Sequence, residues 1–231
     1  MKAEEMEARI KTLENQVREL HTLLDIEEIK KLQRAYGYYL EHWMAKEIVD
    51  LFSDSPDVAL EFPWNEGTYL GKESVKRYYE GRFKPSPEFL HQLMQLCPII
   101  DVDPDGKTAK GRWYGFGAVS TPRGKGVGQA VMNGIYENEY VKEGGKWKFK
   151  RFSWALNYMA KPAEGWVAPE RAAAADTSFP MTWPEPDIQP TRFNPKYPSG
   201  YIFPFHYKHP VTGKKTSEGK LNKSVKGAPD S

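Results

Sequence analysis

The chain has 231 residues, with 33 Lys and Arg against 31 Asp and Glu and a formal net charge of +2. This charge is too small to indicate a surface for nucleic acid or membrane, so we expect neither as a partner. The length suits one ordinary core with appended segments. With a single cysteine, Cys97, no apolar stretch near the ~20 residues of a membrane span and no signal-peptide pattern, we expect a cytoplasmic protein.

The first predicted element is a helix with an apolar seam. Six residues spaced alternately four and three apart form this heptad pattern: Met6, Ile10, Leu13, Val17, Leu20 and Leu24. The pattern predicts a coiled-coil-like helix over residues 1–25. Its roughly three heptads suffice for a contact between subunits, so we expect a homo-oligomer, a dimer or a trimer. An amphipathic helix lying on its own domain would explain the same seam.

Helical spacing continues beyond the seam as far as Trp43. The pattern then predicts a short helix, a two-stranded hairpin and a third helix, at residues 45–52, 58–64 with 68–70, and 72–83. Four long strands separated by turn signals follow at residues 89–102, 108–119, 127–142 and 146–159. Glycines inside these strands favour a bent sheet. We therefore expect an α+β fold, in which a curved antiparallel sheet and three helices wrap a pocket as a cone-shaped domain over residues 26–165.

The last segment, residues 166–231, has a different composition. Eight of the 18 prolines fall between Pro180 and Pro210, which disfavours regular structure. The same stretch carries seven aromatic residues, which are Trp183, Phe193, Tyr197, Tyr201, Phe203, Phe205 and Tyr207. A disordered linker does not normally carry so many aromatic side chains. We predict an extended arm packed on its own or a partner's surface, followed by a basic tail.

Several local strings in this order resemble the nuclear-transport-factor-2-like superfamily, particularly its SnoaL-like branch. They are IKKLQRAY at residues 29–36, YLGKE at 69–73, His91 opening a long strand, and GKWKF at 145–149. The resemblance implies a cone whose mouth takes a small hydrophobic ligand. It does not imply one reaction, because similar proteins include dehydratases, isomerases, polyketide cyclases, cofactorless formaldehyde lyases of aryl dimers and proteins without catalysis.

The same resemblance implies candidate catalytic residues. His91 matches the strand histidine that scytalone dehydratase uses as acid and base, Glu41 matches the acidic residue that orients it, and Tyr136 matches a pocket asparagine. Val119 and Leu40 stand near that enzyme's second histidine and helix tyrosine, which makes dehydration of scytalone itself doubtful. A structural role for His91 and a solvated Glu41 are equally open interpretations.

Residues for substrate binding are sought among the aromatic and polar side chains of the cone. The candidates are Tyr36, Tyr39, Trp43, Trp64, Gln95, Arg112, Trp113, Tyr114, Asn138 and Trp154. Aromatic walls suit an aromatic ligand, although ordinary core packing explains any one of these aromatics. Side chains alternate between the two faces of a strand, but a bulge shifts this alternation. The sequence therefore does not decide whether Arg112 points inward.

No motif indicates a cofactor or a metal ion. The histidines lack metal-ligand spacing, and the glycines at 124, 126 and 128 do not form a dinucleotide fingerprint. The leading hypothesis is a cofactorless lyase acting on a small phenolic aromatic compound, such as a lignin-derived diarylpropane diol that releases formaldehyde. The alternatives are a dehydratase, isomerase or cyclase for a polycyclic aromatic metabolite, and a non-catalytic small-molecule binding protein.

Overall fold

The computed structural model describes residues 3–64, 66–82, 89–123, 126–162 and 184–190, together with residues 204, 206 and 215. Its helices are α1 (Ala3–Glu41), α2 (Ala45–Asp50) and α3 (Gly71–Arg82). Its strands are β1 (Ala59–Phe62), β2 (Gly67–Leu70), β3 (Leu90–Val102), β4 (Thr108–Arg123), β5 (Gly126–Glu143) and β6 (Lys146–Ala160). The predicted order of elements is confirmed. The largest shift in a boundary is at β4, which continues four residues beyond its predicted end.

The strands form one six-stranded sheet in the order β2-β1-β6-β5-β4-β3. Neighbouring strands are antiparallel except β1 and β6, which run parallel. Register shifts interrupt the β3–β4 pairing between Leu96 and Ile99, where Cys97 has a φ of 51° and Pro98 lacks an N–H donor. Two further shifts lie in the β5–β6 pairing. Such bulges bend long strands. The sheet is curved, as predicted, and it is unclosed.

The concave side of the sheet is covered by helices and holds the core. The second half of α1 buries Ile29, Tyr36 and Leu40 against this face, where Phe149 and Phe152 are completely buried. Burying a large apolar side chain contributes about 1.5–3 kcal/mol. Packing of the sheet against the helices therefore fixes the cone.

Asp25 marks the point where α1 joins the sheet. Its carboxylate is buried, forms an ion pair with Lys142 and accepts a hydrogen bond from Trp147 Nε1 at 3.0 Å. Residues before Asp25 belong to the same continuous helix, but their apolar side chains are exposed. The seam therefore does not lie on its own core, and the alternative of an amphipathic helix packed on its own domain is wrong within the described residues.

Two glycines allow an indole to lie against the concave face. Gly115 and Gly134 are register partners on β4 and β5. A Cβ at Gly115 would lie 2.4 Å from Trp154 Cζ3, and a Cβ at Gly134 would lie 2.5 Å from Trp154 Cη2. Both distances are shorter than van der Waals contact, so the position of the ring depends on the missing side chains.

The described part of the arm packs on its own domain in two places. Ile188 pairs with Thr68 at the β2 edge through two backbone hydrogen bonds of 2.7 and 3.0 Å, and Tyr69 Oη donates to the carbonyl of Pro184 at 2.7 Å. Further along, the carbonyl of Pro204 accepts a hydrogen bond from Arg112. The seven aromatic residues of the predicted arm lie outside the described residues.

Candidate functional site

The two faces of the sheet can be assigned from register and from contacts with the helices. Trp113, Tyr136 and Trp154 are cross-strand partners and therefore share one face. Tyr136 contacts Tyr36 of α1, with ring centroids 6.3 Å apart, so this face is the concave one. Residues one position away along these strands, such as Arg112, lie on the convex face.

Aromatic rings line the deep part of the concave side. Tyr136 packs on Trp154 with centroids 4.4 Å apart, the hydroxyls of Tyr36 and Tyr79 are 3.2 Å apart, and Trp43 Nε1 donates to the backbone carbonyl of Tyr79 at 2.8 Å. Tyr39 is partly buried against the same core. Of the predicted substrate-binding aromatics, the structure therefore brings together Tyr36, Tyr39, Trp43 and Trp154.

His91 lies on the concave face, close to the start of β3. It is half-buried, and its ring lies 5.6 Å from Trp43 and 6.4 Å from Phe89, measured between centroids. On the same face, its cross-strand neighbours are the apolar residues Val119 and Ala130. The imidazole thus faces an apolar and aromatic surface, which is the setting of many acid–base groups.

Gln95 follows His91 on the same face and reaches the deep aromatic residues. A Cβ on Gly37 would lie 2.1 Å from Gln95 Oε1, the far end of a flexible side chain, so a larger residue at position 37 would displace this amide. The Gln95 side chain lies beside the Tyr136 hydroxyl and lowers its pKa, against a larger rise from burial, while Gln95 Nε2 donates to the backbone carbonyl of Leu93 at 2.5 Å. His91 and Gln95 are four residues apart on one strand, or about 13 Å.

The buried tyrosines are hydrogen-bond donors at neutral pH. Burial raises the pKa of Tyr136 well above its usual range, and it also raises the pKa of Tyr79 and of Tyr140. Each phenol therefore keeps its proton at neutral pH. Tyr136 can stabilise an anionic oxygen, but it is poorly suited to be a general base there.

Trp113 and Asn138 face the concave side but are held in a buried polar network. Asn138 Nδ2 and the Tyr140 hydroxyl donate to Gln33 Oε1 at 3.0 and 2.9 Å, and Trp113 Nε1 donates to the Tyr140 hydroxyl at 3.0 Å. Asn138 Oδ1 also accepts from the backbone of Ser153 at 3.0 Å. These bonds tie α1 to β4, β5 and β6, which indicates a structural role for both predicted ligand contacts.

Glu41 is the last residue of α1, and its carboxylate contacts Gln92 on β3. Its Oε1 lies 3.5 Å from Gln92 Nε2, and Gln92 alternates with His91 on β3, so the two side chains leave opposite faces of the strand. The orienting role of Glu41 stays a prediction.

Three predicted substrate-binding residues lie on the convex face, which corrects their assignment to the pocket. Trp64 clusters with Ile135 and Ala155, and Tyr114, the register partner of Ile135, is 49% exposed. Arg112 pairs with Glu137 at 2.8 Å and donates to Pro204 at 2.9 Å. The sequence pattern does not predict this placement. Alternation along a strand shows which residues share a face, but it does not show which face meets the helices.

Tyr79 and Phe89 contact the site but were absent from the predicted set. Tyr79 joins Tyr36 and Trp43, while Phe89 stacks on His91. A signal existed for Tyr79, which lies four residues after the buried Val75 on α3 and hence on the same helix face. Phe89 precedes β3, and no comparable spacing in the sequence indicates its contact with His91.

The described residues were also compared with the requirements of metal sites and membrane spans. Across those parts of the chain, no three His, Cys, Asp or Glu side chains are grouped as metal ligands. None of the described helices combines the length and the apolar character needed to cross a membrane.

Residues 21–153, more than half of the chain, match the family model described as a SnoaL-like domain. The chain belongs to the SnoaL-like domain family. This family falls within the NTF2-like superfamily, as the sequence strings predicted, and its members are often cofactor-free enzymes such as dehydratases and isomerases. No curated protein matches the chain significantly.

Solved structures that match this SnoaL-like chain with a TM-score above 0.5 show the same fold. A Novosphingobium aromaticivorans protein described as a "Putative Scytalone Dehydratase" is 22% identical, with a TM-score of 0.51, and the match covers 61% of this chain and 89% of that one. Kfla4162 from Kribbella flavida is 14% identical, with a TM-score of 0.52, over 61% and 95% of the two chains. An NTF2-like protein with a cystatin-like fold from N. aromaticivorans is 20% identical, with a TM-score of 0.47, over 62% and 89%.

Proposed function

We propose that this SnoaL-like protein is a cofactor-independent lyase for a small phenolic aromatic compound, with His91 as its acid–base group. The observation that carries the proposal is the position of His91, half-buried on the concave face between Trp43 and Phe89. A titratable group beside aromatic walls fits proton transfer on an aromatic substrate. The substrate class that we favour is a diarylpropane diol with a free para-phenol.

The proposed reaction needs no oxidant or reductant. The phenol loses its proton, the benzylic hydroxyl leaves as water after protonation, and a quinone methide forms. Removal of the proton from the primary side-chain hydroxyl then forms the C=O bond of formaldehyde and breaks the adjacent C–C bond. That electron pair forms the new C=C bond and restores the aromatic phenolate, so the products are a stilbene, formaldehyde and water. His91 can give the proton to the leaving hydroxyl and then take one from the side chain.

The deep end of the cone supplies the other requirement, a donor for the phenolate. Tyr136 stays protonated because burial raises its pKa, and the side chain of Gln95 lies beside its hydroxyl. Donors that face a developing negative charge in a water-poor site stabilise it strongly. Gln95 and His91 are about 13 Å apart along β3, and Leu93 lies between them on the same face. A bound phenol and its hydroxylated side chain would therefore pack over Leu93.

Glu41 remains in the proposal as the residue that orients the His91 imidazole. The bond between Gln92 and Glu41 is 3.5 Å long, at the limit of hydrogen bonding, so the carboxylate is weakly held where it lies. Glu41→Gln should lower turnover less than loss of the imidazole does, because it keeps the shape and removes only the charge. Turnover equal to that of the unaltered protein would remove Glu41 from the mechanism.

The test is to incubate the purified protein with a panel of phenolic diols and to measure formaldehyde, stilbene absorbance and water loss. Each phenol is paired with its para-methyl ether, which cannot form the quinone methide. Formaldehyde from the phenol alone supports the lyase. Water loss, isomerisation or cyclisation without formaldehyde would assign the other enzyme classes, and saturable binding without turnover would assign a binding protein.

A further inference from the structure

The apolar seam of α1 faces away from the domain that the same helix enters. In the heptad register, Ile10, Val17 and Leu24 occupy position a, and Met6, Leu13 and Leu20 occupy position d. The residues of α1 that face the core occupy other positions of this register: f for Ile29 and Tyr36, and c for Gln33 and Leu40. Positions f and c lie on the opposite side of a helix from a and d, so the domain's own core does not cover the seam.

The six seam residues are between 47% and 62% exposed. The positions beside the seam from Glu7 to Thr22 carry Glu, Arg, Lys, Thr, Asn, Gln, His and Ala, so the large apolar residues form one narrow stripe, which Leu23 widens only at its end. Narrow a/d stripes are typical of helices that pair with another helix rather than of helices that lie on a globular core.

We propose that the seam binds a second copy of this chain, and that the two α1 helices pair in parallel and in register from Met6 to Leu24. The residue types at positions a and d favour two helices in parallel over other arrangements. Position a holds the β-branched Ile10 and Val17, and position d holds Leu13 and Leu20. This distribution favours parallel two-stranded coiled coils over trimers and tetramers.

The charges beside the seam favour the same arrangement. In a parallel pair, position g of one helix faces position e of the next heptad on the other, which places Arg9 opposite Glu14 of the partner subunit, twice by symmetry. An antiparallel pair with the same overlap places Glu14 opposite the partner subunit's Glu14 and Arg9 opposite the partner subunit's Leu23. The parallel pair therefore gains two attractions where the antiparallel pair has a repulsion.

The end of the apolar seam matches the point where α1 joins its own domain. After Leu24, the next a and d positions hold Glu27, Lys31, Arg34 and Tyr38, which line an open groove on the outer side of the helix. In a parallel pair, Lys31 would face its own copy, which disfavours continuation. Asp25 anchors the helix to the sheet at this level, so the two domains separate where the coiled coil stops.

The first experiment measures the mass of the full-length chain by light scattering at micromolar concentration. We expect about twice the chain mass of 26.5 kDa. Leu13→Glu with Leu20→Glu should give the single-chain mass. Asn15→Glu with Thr22→Glu is the matched control, because it adds the same charge at position f, and it should keep the double mass. At low protein concentration, the sheet-and-helix domain should unfold at the same temperature in both variants, because all four substituted positions are outside its core.

The second experiment tests the direction of the helices. Arg9→Glu should weaken the dimer at least tenfold, and adding Glu14→Arg should restore it. In a Cys97→Ser background, Ile10→Cys should form a disulfide between subunits on oxidation, because identical a positions meet only in a parallel pair. Ala8→Cys at position f is the control and should not cross-link.

Four results would overturn the proposal. They are a single-chain mass for the unaltered protein, a trimer, a dimer that survives Leu13→Glu with Leu20→Glu, and a dimer in which Ile10→Cys fails to cross-link. A single-chain mass with protected amide hydrogens from Met6 to Leu24 would assign the seam to another segment of the same chain. None of these measurements depends on the substrate, so they stand apart from the test of the lyase.

Discussion

The two faces of the curved sheet bury residues of opposite chemistry, although the same strands supply both. The concave face packs aromatic rings such as Tyr136 and Trp154 against the helices and keeps His91 half-buried. The convex face buries Arg112 with Glu137, and His206 of the arm bridges Glu137 and Asp101. Charges on the convex face are therefore used to hold the arm, which leaves the concave face as the candidate for chemistry.

The largest expected effect separates the faces by activity. His91→Ala should lower turnover of a substrate by about 10²- to 10⁴-fold, the usual loss when a general acid–base group is removed. Thermal stability should change little, because the half-buried ring contributes limited packing. Met94→Ala is the control, since this residue lies on the opposite face of β3 and is 48% exposed. Near-normal turnover of His91→Ala would move the site to Tyr136 and Gln95.

The next effect concerns stability on the convex face. Arg112→Ala should destabilise the fold by about 3 kcal/mol, because it leaves the Glu137 carboxylate buried without its arginine. The side chains are only 10% and 15% exposed. Arg151→Ala is the matched control, since its ion pair with Glu61 is 3.4 Å long and its side chain is 50% exposed; we expect a loss of less than about 1 kcal/mol. Denaturant titration measures both, and equal losses would show that burial does not distinguish the two pairs.

Removal of the arm should have a smaller effect. Truncation after Ala175 deletes the Ile188–Thr68 pairing, the Tyr69–Pro184 hydrogen bond and the Arg112–Pro204 hydrogen bond. At about 0.5–1.5 kcal/mol for each of these four hydrogen bonds, the gross loss is about 2–6 kcal/mol. The conformational entropy that the free arm regains offsets much of this loss, so the net loss should be below that for Arg112→Ala. Calorimetry should show a lower unfolding temperature, and an unchanged one would mean that the arm does not stabilise the domain.

The last effect is absent at neutral pH. It is a loss of folding stability at alkaline pH, caused by the buried tyrosines of the concave face. Burial raises the folded-state pKa of Tyr79, Tyr136 and Tyr140. A raised folded pKa gives stability that is fully present below the unfolded pKa, near 10, and is lost as the pH rises above it. Each tyrosine can remove up to about 1.4 kcal/mol per pH unit there. Denaturant unfolding between pH 9 and 11 should show this slope, and Tyr79→Phe should reduce it; a flat profile would contradict the burial of these phenols.

Much of the fold could be predicted because each element has its own local signal. The heptad seam, the turn at Asp103 to Gly106 and the alternation of the long strands specify elements without reference to the rest of the chain. The prediction that Tyr136 and Asn138 share one face of β5 is also confirmed, since both point toward α1. Period-two alternation within a strand is enough to establish that relation.

The sequence by itself determined the order of elements, the α+β class, the apolar seam and the relative facing of neighbours on one strand. Only the tertiary structure decided which face of the sheet meets the helices, and this placed His91 inside and Arg112 outside. Bulges such as the one at Cys97 and Pro98 shift the pairing of the strands, so alternation cannot be carried across the sheet from one strand to the next. The face of each residue therefore depends on contacts between segments far apart in the chain, such as Tyr36 with Tyr136, which no local pattern contains.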